Sequence, residues 1–213
     1  MEIVVLGRAD TPDGEVVLRR RGDIVELVVN GVFAMDTVEV SSELALADAA
    51  GTTPGRVLVG GLGLGFTAAR LLGNGATGID VVERAGPLVE WARAGVTEQL
   101  GRVATDPAVT LHHGDVVGFV RGTDRVWDAI LLDVDNGPSF LIHADNAEVY
   151  TAGCLADCLD RLTPGGRLLV WCETASSPLE LTLRRLAGRV EVIDVPIARE
   201  GREFTYALYR AVR

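Results

Sequence analysis

Val57-Leu58-Val59-Gly60-Gly61-Leu62-Gly63-Leu64-Gly65-Phe66 is the stretch that decides the fold. A short apolar run ahead of a glycine cluster reads as a strand buried on both faces. The glycines mark a sharp reversal, and Phe66 to Leu72 continues as helix. Strand, glycine loop and helix in that order open a doubly wound sheet. Glycines 61, 63 and 65 omit the Cβ atom where backbone amides would approach a nucleotide-like ligand, although a merely tight strand-to-helix turn uses glycine in the same way.

Outward from this unit the alternation continues. Gly78 to Val82 reads as strand, Pro87 to Ala94 as helix, Val109 to His112 and Ala129 to Asp133 as strands. A helix is expected from about Asn146 to Leu162, after which Thr163-Pro164-Gly165-Gly166 turns into a strand from Arg167 to Trp171. Beyond a helix around Leu179 to Leu186, Val190 to Val195 and Phe204 to Tyr209 form two closing strands joined by a charged turn. Upstream, Ile3 to Leu6, Val16 to Arg19 and Ile24 to Val29 read as short strands separated by turn residues. Ser41-Ser42-Glu43 then opens a helix that Gly51 and Pro54 stop.

Composition narrows the function. The 213 residues are 48% hydrophobic and 23% charged, enough for one sizeable α/β domain with a small appendage. A net charge of -10 argues against a nucleic-acid partner, which clustered Lys and Arg would hold, and fits a cationic or neutral small substrate. Cys154, Cys158 and Cys172 make no closed disulfide framework and no zinc spacing, so they read as buried thiols suited to a reducing cytoplasm. The opening residues lack the basic and apolar parts of a signal peptide, and no apolar run reaches the ~18 residues of a membrane helix.

The chemistry gathers at strand ends. Glu83 ends the strand after the glycine loop, near the ~20-residue offset at which a carboxylate meets ribose hydroxyls; an exposed strand-end charge is the plainer alternative. Asp115, in His113-Gly114-Asp115, is placed to accept from an adenine amino group. His112 and His113 read as surface or core residues. Asp133-Val134-Asp135-Asn136-Gly137-Pro138 reaches the same carboxyl edge, where ligands of open α/β sheets bind. Two carboxylates on one short loop call for a cationic partner, such as an amine, and Asp133 as proton acceptor would leave that amine its lone pair. The plainer alternative has Asp133 capping the turn and Asp135 solvated. The segment from Asp135 to about Asn146 is expected to act as a lid.

Taken together, these residues resemble the spermidine synthase family from about Asn30 to the C-terminus. Val57-Leu58-Val59 and its glycines are similar to the family's strand and GGGDGG loop, and Val81-Val82-Glu83 to its ribose-binding acidic strand. His113-Gly114-Asp115 is similar to the glycine-aspartate pair near the adenine, Asn30-Gly31-Val32 to the L-D-G-V turn, and Asp133 falls on the aspartate credited with accepting the amine's proton. The resemblance implies an α/β, Rossmann-like class I S-adenosylmethionine-dependent methyltransferase fold, with a mostly parallel sheet and a C-terminal antiparallel hairpin. A short N-terminal β-rich extension, 1–40, would precede the donor-binding domain, 41–213. It further implies S-adenosylmethionine, or its decarboxylated form, held by Gly61, Gly63, Leu64, Gly65, Glu83, Asp115 and Asp133. Asp133 and Asp135 would be the catalytic carboxylates, with no metal, a small-molecule amine as substrate and a homodimer as the assembly.

Three departures bear on the reaction. Leu64 stands where the family's loop has an aspartate, the D-S-S-D-P signature is shortened, and the tyrosine-histidine pair is missing around Ser41 to Leu44. An aspartate at position 64 would repel the carboxylate of the intact donor, so Leu64 favours intact S-adenosylmethionine. The leading expectation is therefore transfer of an alkyl group, methyl first, to an amine. The alternatives are aminopropyl transfer from the decarboxylated donor, a nicotinamide-dependent oxidoreductase, and a non-catalytic nucleoside-binding protein.

Overall fold

The computed structural model describes residues 2–134, 136–138, 141, 144–199 and 201–213. Strand β5 (Arg56–Gly60) lies mid-sheet, parallel to β6 (Gly78–Glu83) on one side and β8 (Trp127–Leu132) on the other. β7 (Val109–His113) adds beyond β6 and β9 (Leu162–Cys172) beyond β8, both parallel. The chain closes with β10 (Arg189–Arg199) and β11 (Arg202–Val212), and β11 inserts antiparallel to β9 to give the order β10-β11-β9-β8-β5-β6-β7.

Period-two alternation sends successive residues of these strands to opposite layers. Val57, Val59, Ala129, Leu131 and Leu169 enter one core, and Leu58, Ile130, Leu132, Leu168 and Val170 the other. The first core is covered by α1 (Ser41–Ala49), α2 (Phe66–Gly73), α3 (Gly86–Arg93) and α4 (Glu98–Thr105), the second by α5 (Val116–Arg121), α6 (Ala152–Asp160) and α7 (Ser177–Ala187).

Most of the elements expected from sequence are present, with informative differences. The helix expected over 146–162 divides into a 3-10 turn (Ala144–Tyr150) and α6, because the Thr151 hydroxyl accepts the Cys154 N–H and starts a new helix. Helices α4 and α5, absent from the sequence reading, start on Thr97 and Asp115 side-chain caps. Helix α1 starts at Ser41 as expected but without a capping box: Val40 holds the cap position, and the Ser42 hydroxyl donates to Glu43 instead. All three cysteines are buried thiols. Among the described residues no helix is long and apolar enough to cross a membrane.

The N-terminal residues form a four-stranded antiparallel meander, β1 (Ile3–Thr11), β2 (Gly14–Arg21), β3 (Ile24–Val29) and β4 (Val32–Asp36). Strand β4 was not legible in the sequence. The meander packs Val16, Leu18 and Leu27 into the same core as α1 and α2, and Arg84, just past β6, holds Asp13 of the β1–β2 turn through two hydrogen bonds of 2.9 Å.

His112 is half-buried, with its Nε2 2.8 Å from Asp80 Oδ1 and its ring 4.7 Å from that of Phe119. Buried Asp80 also accepts from Trp127 Nε1 and from Arg125, joining β6, β7 and β8 through one carboxylate. Replacing Asp80 by Ala leaves the Trp127 N–H unpartnered inside the protein. Urea denaturation should show a loss of roughly 2–4 kcal/mol, with the far-UV spectrum retained.

Candidate active site

A cavity of about 240 Å³ opens at the carboxyl ends of β5, β6, β7 and β8, with the N-terminal meander as its outer wall. Gly61, Gly63, Leu64, Glu83, Asp115 and Asp133 all line it. Gly65 does not: at φ +86° it is the left-handed cap of α2, directly behind the loop. Asp135, and with it Ser139, Phe140, Ile142 and His143 of the expected lid, lie outside the described residues.

The glycines meet demands from the protein's own backbone as well as from any ligand. A Cβ on Gly61, at φ +97°, would collide with the carbonyl oxygen of Asp133, and one on Gly63 would lie 2.7 Å from Met35 Sδ. The Glu83 carboxylate accepts from Leu62 N at 2.8 Å and from Ala85 N at 2.7 Å, so it fastens the glycine loop to the start of α3. Asp115 spends one oxygen as the cap of α5, accepting from Gly118 N, and turns the other toward Arg84 at 4.0 Å.

Leu64 lines the cavity as expected, yet it is only 2% exposed and packs within the core cluster, its backbone N–H lying 3.2 Å from Met35 Sδ. Two further carboxylates of the cavity lining are Glu39, just ahead of α1, and Glu43 in its first turn. The sequence showed Ser42-Glu43 only as a helix opening; the gap where the family has its tyrosine-histidine pair was the signal that this position carries something else.

Asp133 lies deep in the protein with its carboxylate toward the cavity, fixed by a 2.7 Å hydrogen bond from the Thr67 hydroxyl of α2. This bond excludes the turn-capping alternative for that oxygen. Burial, reinforced by the negative charge of Glu43, pushes Asp133 up to about 7 despite the Thr67 bond. Glu43 is raised too, chiefly by its own burial. Among the described residues seven carboxylates and two arginines line the cavity, and both arginines are engaged: Arg84 with Asp13, Arg199 with Asp36 at 2.6 Å. Among the described residues Glu39, Glu43 and Asp133 have no ion-pair partner. Trp171 and Tyr206, rings 4.9 Å apart, complete the wall beside them. No cluster of His, Cys, Asp and Glu able to hold a metal occurs among the described residues.

No protein family's sequence profile matches the chain, and no curated protein sequence does. Solved structures do. A spermidine synthase in complex with the transition-state analogue AdoDATO superposes with a TM-score of 0.81 at 18% identity, over 98% of this chain and 73% of that one. The spermidine synthase from Thermotoga maritima gives 0.76 at 16% identity, over 98% and 72%. The chain has the spermidine synthase fold. The likeness takes in the N-terminal meander as well as the Rossmann-like core, since it spans nearly the whole chain.

The buried Asp133 gives the protein a pH-dependent stability. Folding raises this carboxyl from 3.8 to about 7, so between those values the folded state keeps a proton that the unfolded state has shed. Stability therefore falls as pH rises through that window and levels off above it. Asp133→Asn removes the effect. Urea unfolding should find the variant close to wild type at about pH 4 and more stable by up to about 4 kcal/mol at about pH 8.

Proposed function

We infer that the chain transfers an aminopropyl group from decarboxylated S-adenosylmethionine to a small-molecule amine, with Asp133 receiving the amine's proton. The observation that carries this reading is the surplus of carboxylates in the cavity, with Glu39, Glu43 and Asp133 outside any ion pair among the described residues. The decarboxylated donor brings a sulfonium and an ammonium and no carboxylate, so it relieves that surplus. Intact S-adenosylmethionine would add a carboxylate to a site whose two arginines are already committed to Asp13 and Asp36. The likeness to a spermidine synthase holding AdoDATO supports the same choice. Methyl transfer, placed first on the strength of Leu64, loses support: Glu39 and Glu43 also line the cavity and would meet the donor's ammonium in place of the missing loop aspartate.

In this reading the glycine loop and Glu83 hold the nucleoside, and Asp115 stands at the adenine end. The amine nitrogen attacks the propyl carbon attached to sulfur. As the C–N bond forms, the C–S bond breaks and its electron pair returns to sulfur, which leaves as a neutral thioether. The lone pair is freed beforehand, when Asp133 takes a proton from the acceptor's ammonium. Alignment of the lone pair with the breaking bond supplies most of the rate, which the rigid seating of Asp133 on Thr67 serves.

Calorimetric titration should find the decarboxylated donor binding at least about tenfold more tightly than the intact one, a difference of about 1.4 kcal/mol. Tighter binding of intact donor would return methyl transfer to first place. With an active acceptor found from a panel of diamines and other amines, Asp133→Asn should keep donor affinity within a few-fold and cut turnover by about 10²–10⁴. Full activity in that variant would remove Asp133 from the chemistry.

A further inference from the structure

Strands β10 and β11 are longer than the sheet they belong to. β11 pairs with β9 only from Ala207 to Val212, whereas β10 and β11 stay paired with each other out to Arg199 and Arg202. Val195–Arg199 and Arg202–Tyr206 therefore stand clear of the carboxyl edge as a two-stranded ribbon. Such a ribbon is marginal by itself and needs a surface to lie on.

Its sidedness shows what that surface is. Cross-strand partners share a face, which places Val195, Ile197, Arg199, Phe204 and Tyr206 together. Val195 and Ile197 are buried in the core cluster, while Asp194, Pro196, Ala198, Glu203 and Thr205 on the opposite face are exposed. The inner face meets Trp171 through Tyr206, and it meets β4 through Arg199. The Arg199 guanidinium pairs with Asp36, whose side chain is only 1% exposed, and lies 4.9 Å over the Phe33 ring. Arg199, Tyr206, Phe33, Asp36 and Trp171 all line the cavity, on the side away from Glu83 and Asp115.

We propose that this ribbon is the acceptor-side wall of the cavity, and that Arg199, through its bond to Asp36, sets the size of amine that can reach Asp133. The inference rests on the aminopropyl-transfer reading for the word acceptor. The wall itself does not depend on it. The donor's nucleoside is assigned to the glycine loop, Glu83 and Asp115, so a second substrate has the Asp133, Tyr206 and Arg199 side left to it. The cavity's 240 Å³ is below the ~300–1,000 Å³ usual for small-molecule pockets, so a nucleoside sulfonium leaves an amine little room and the position of this wall decides how much. The ribbon has backbone pairing only within itself; Val195, Ile197 and Tyr206 pack inward, and its link across the cavity to β4 is Arg199, paired with Asp36 and lying over Phe33, so that link is where the enclosure can be loosened.

The test uses the full chain with Arg199→Ala, and with the pair Asp36→Asn and Arg199→Gln, which breaks the ion pair without stranding a buried carboxylate. Hydrogen exchange on the free protein should rise at 195–199 and 202–206 in both variants and stay unchanged in β5 and β6. Rates should then be compared across diamines of increasing chain length. The variants should gain about tenfold for long over short acceptors relative to wild type, the scale of a lost steric limit. Unchanged exchange in the ribbon, or a length preference identical to wild type, overturns the proposal. If the ribbon opens in exchange while wild type turns over no amine at all, the wall stands and the transfer reading falls.

Discussion

The site depends on the contact between two backbones at the centre of the sheet. Asp133 N–H donates to the Gly60 carbonyl at 2.9 Å, Gly61 N–H donates to Val82 at 2.8 Å, and no Cβ fits between Gly61 and the Asp133 carbonyl. Side chains cannot separate these segments, so the loop that would cradle a nucleoside and the carboxylate that would take a proton are held at a distance fixed by main-chain geometry. Thr67, two positions inside the helix that Gly65 caps, completes the arrangement by hydrogen-bonding the Asp133 side chain. One glycine-rich turn thus shapes the loop at the cavity, starts α2 and orients the Asp133 carboxylate.

A second constraint closes the cavity. The N-terminal meander is tied to the core by Asp13–Arg84 at one end and Asp36–Arg199 at the other, each aspartate coming from the meander and each arginine from the core. Exposed ion pairs contribute little, but here Asp36 is buried and Asp13 is held bidentately, geometries in which breaking the pair costs more. The ties also commit both arginines of the lining, which leaves the interior carboxylates to be neutralised by a ligand.

How much of this the sequence disclosed follows from the range of the interactions. The strands and the glycine loop were legible because their signals are local: apolar runs, turn residues and glycines at fixed offsets. Glu83, Asp115 and Asp133 were legible because a parallel sheet delivers strand ends to one edge. Glu43, Arg84, Arg199 and Tyr206 were not, because their roles arise from pairings across the cavity, such as Arg199 with Asp36, which no local pattern encodes. Strand β4 was lost behind the Asn30-Gly31 turn, and α4 and α5 are too short, at 8 and 6 residues, to show a sustained period. Leu64 lines the cavity as expected, and its burial within the core cluster, set by packing partners distant in the chain, was not legible from the loop motif.

The surplus of carboxylates also orders the proposed chemistry. With the site empty, Asp133 near 7 is about half protonated at neutral pH and a poor proton acceptor in that fraction. Arrival of a donor carrying a sulfonium and an ammonium favours the ionised form, because an opposite charge nearby lowers a carboxyl pKa. In the proposed chemistry the proton would leave Asp133 as the donor binds, so the donor would ready the base for its partner substrate. An ionised Asp133 could then take a proton from the acceptor's ammonium and free the lone pair that attacks, and the burial and Glu43 charge that raise its proton affinity suit it to that step.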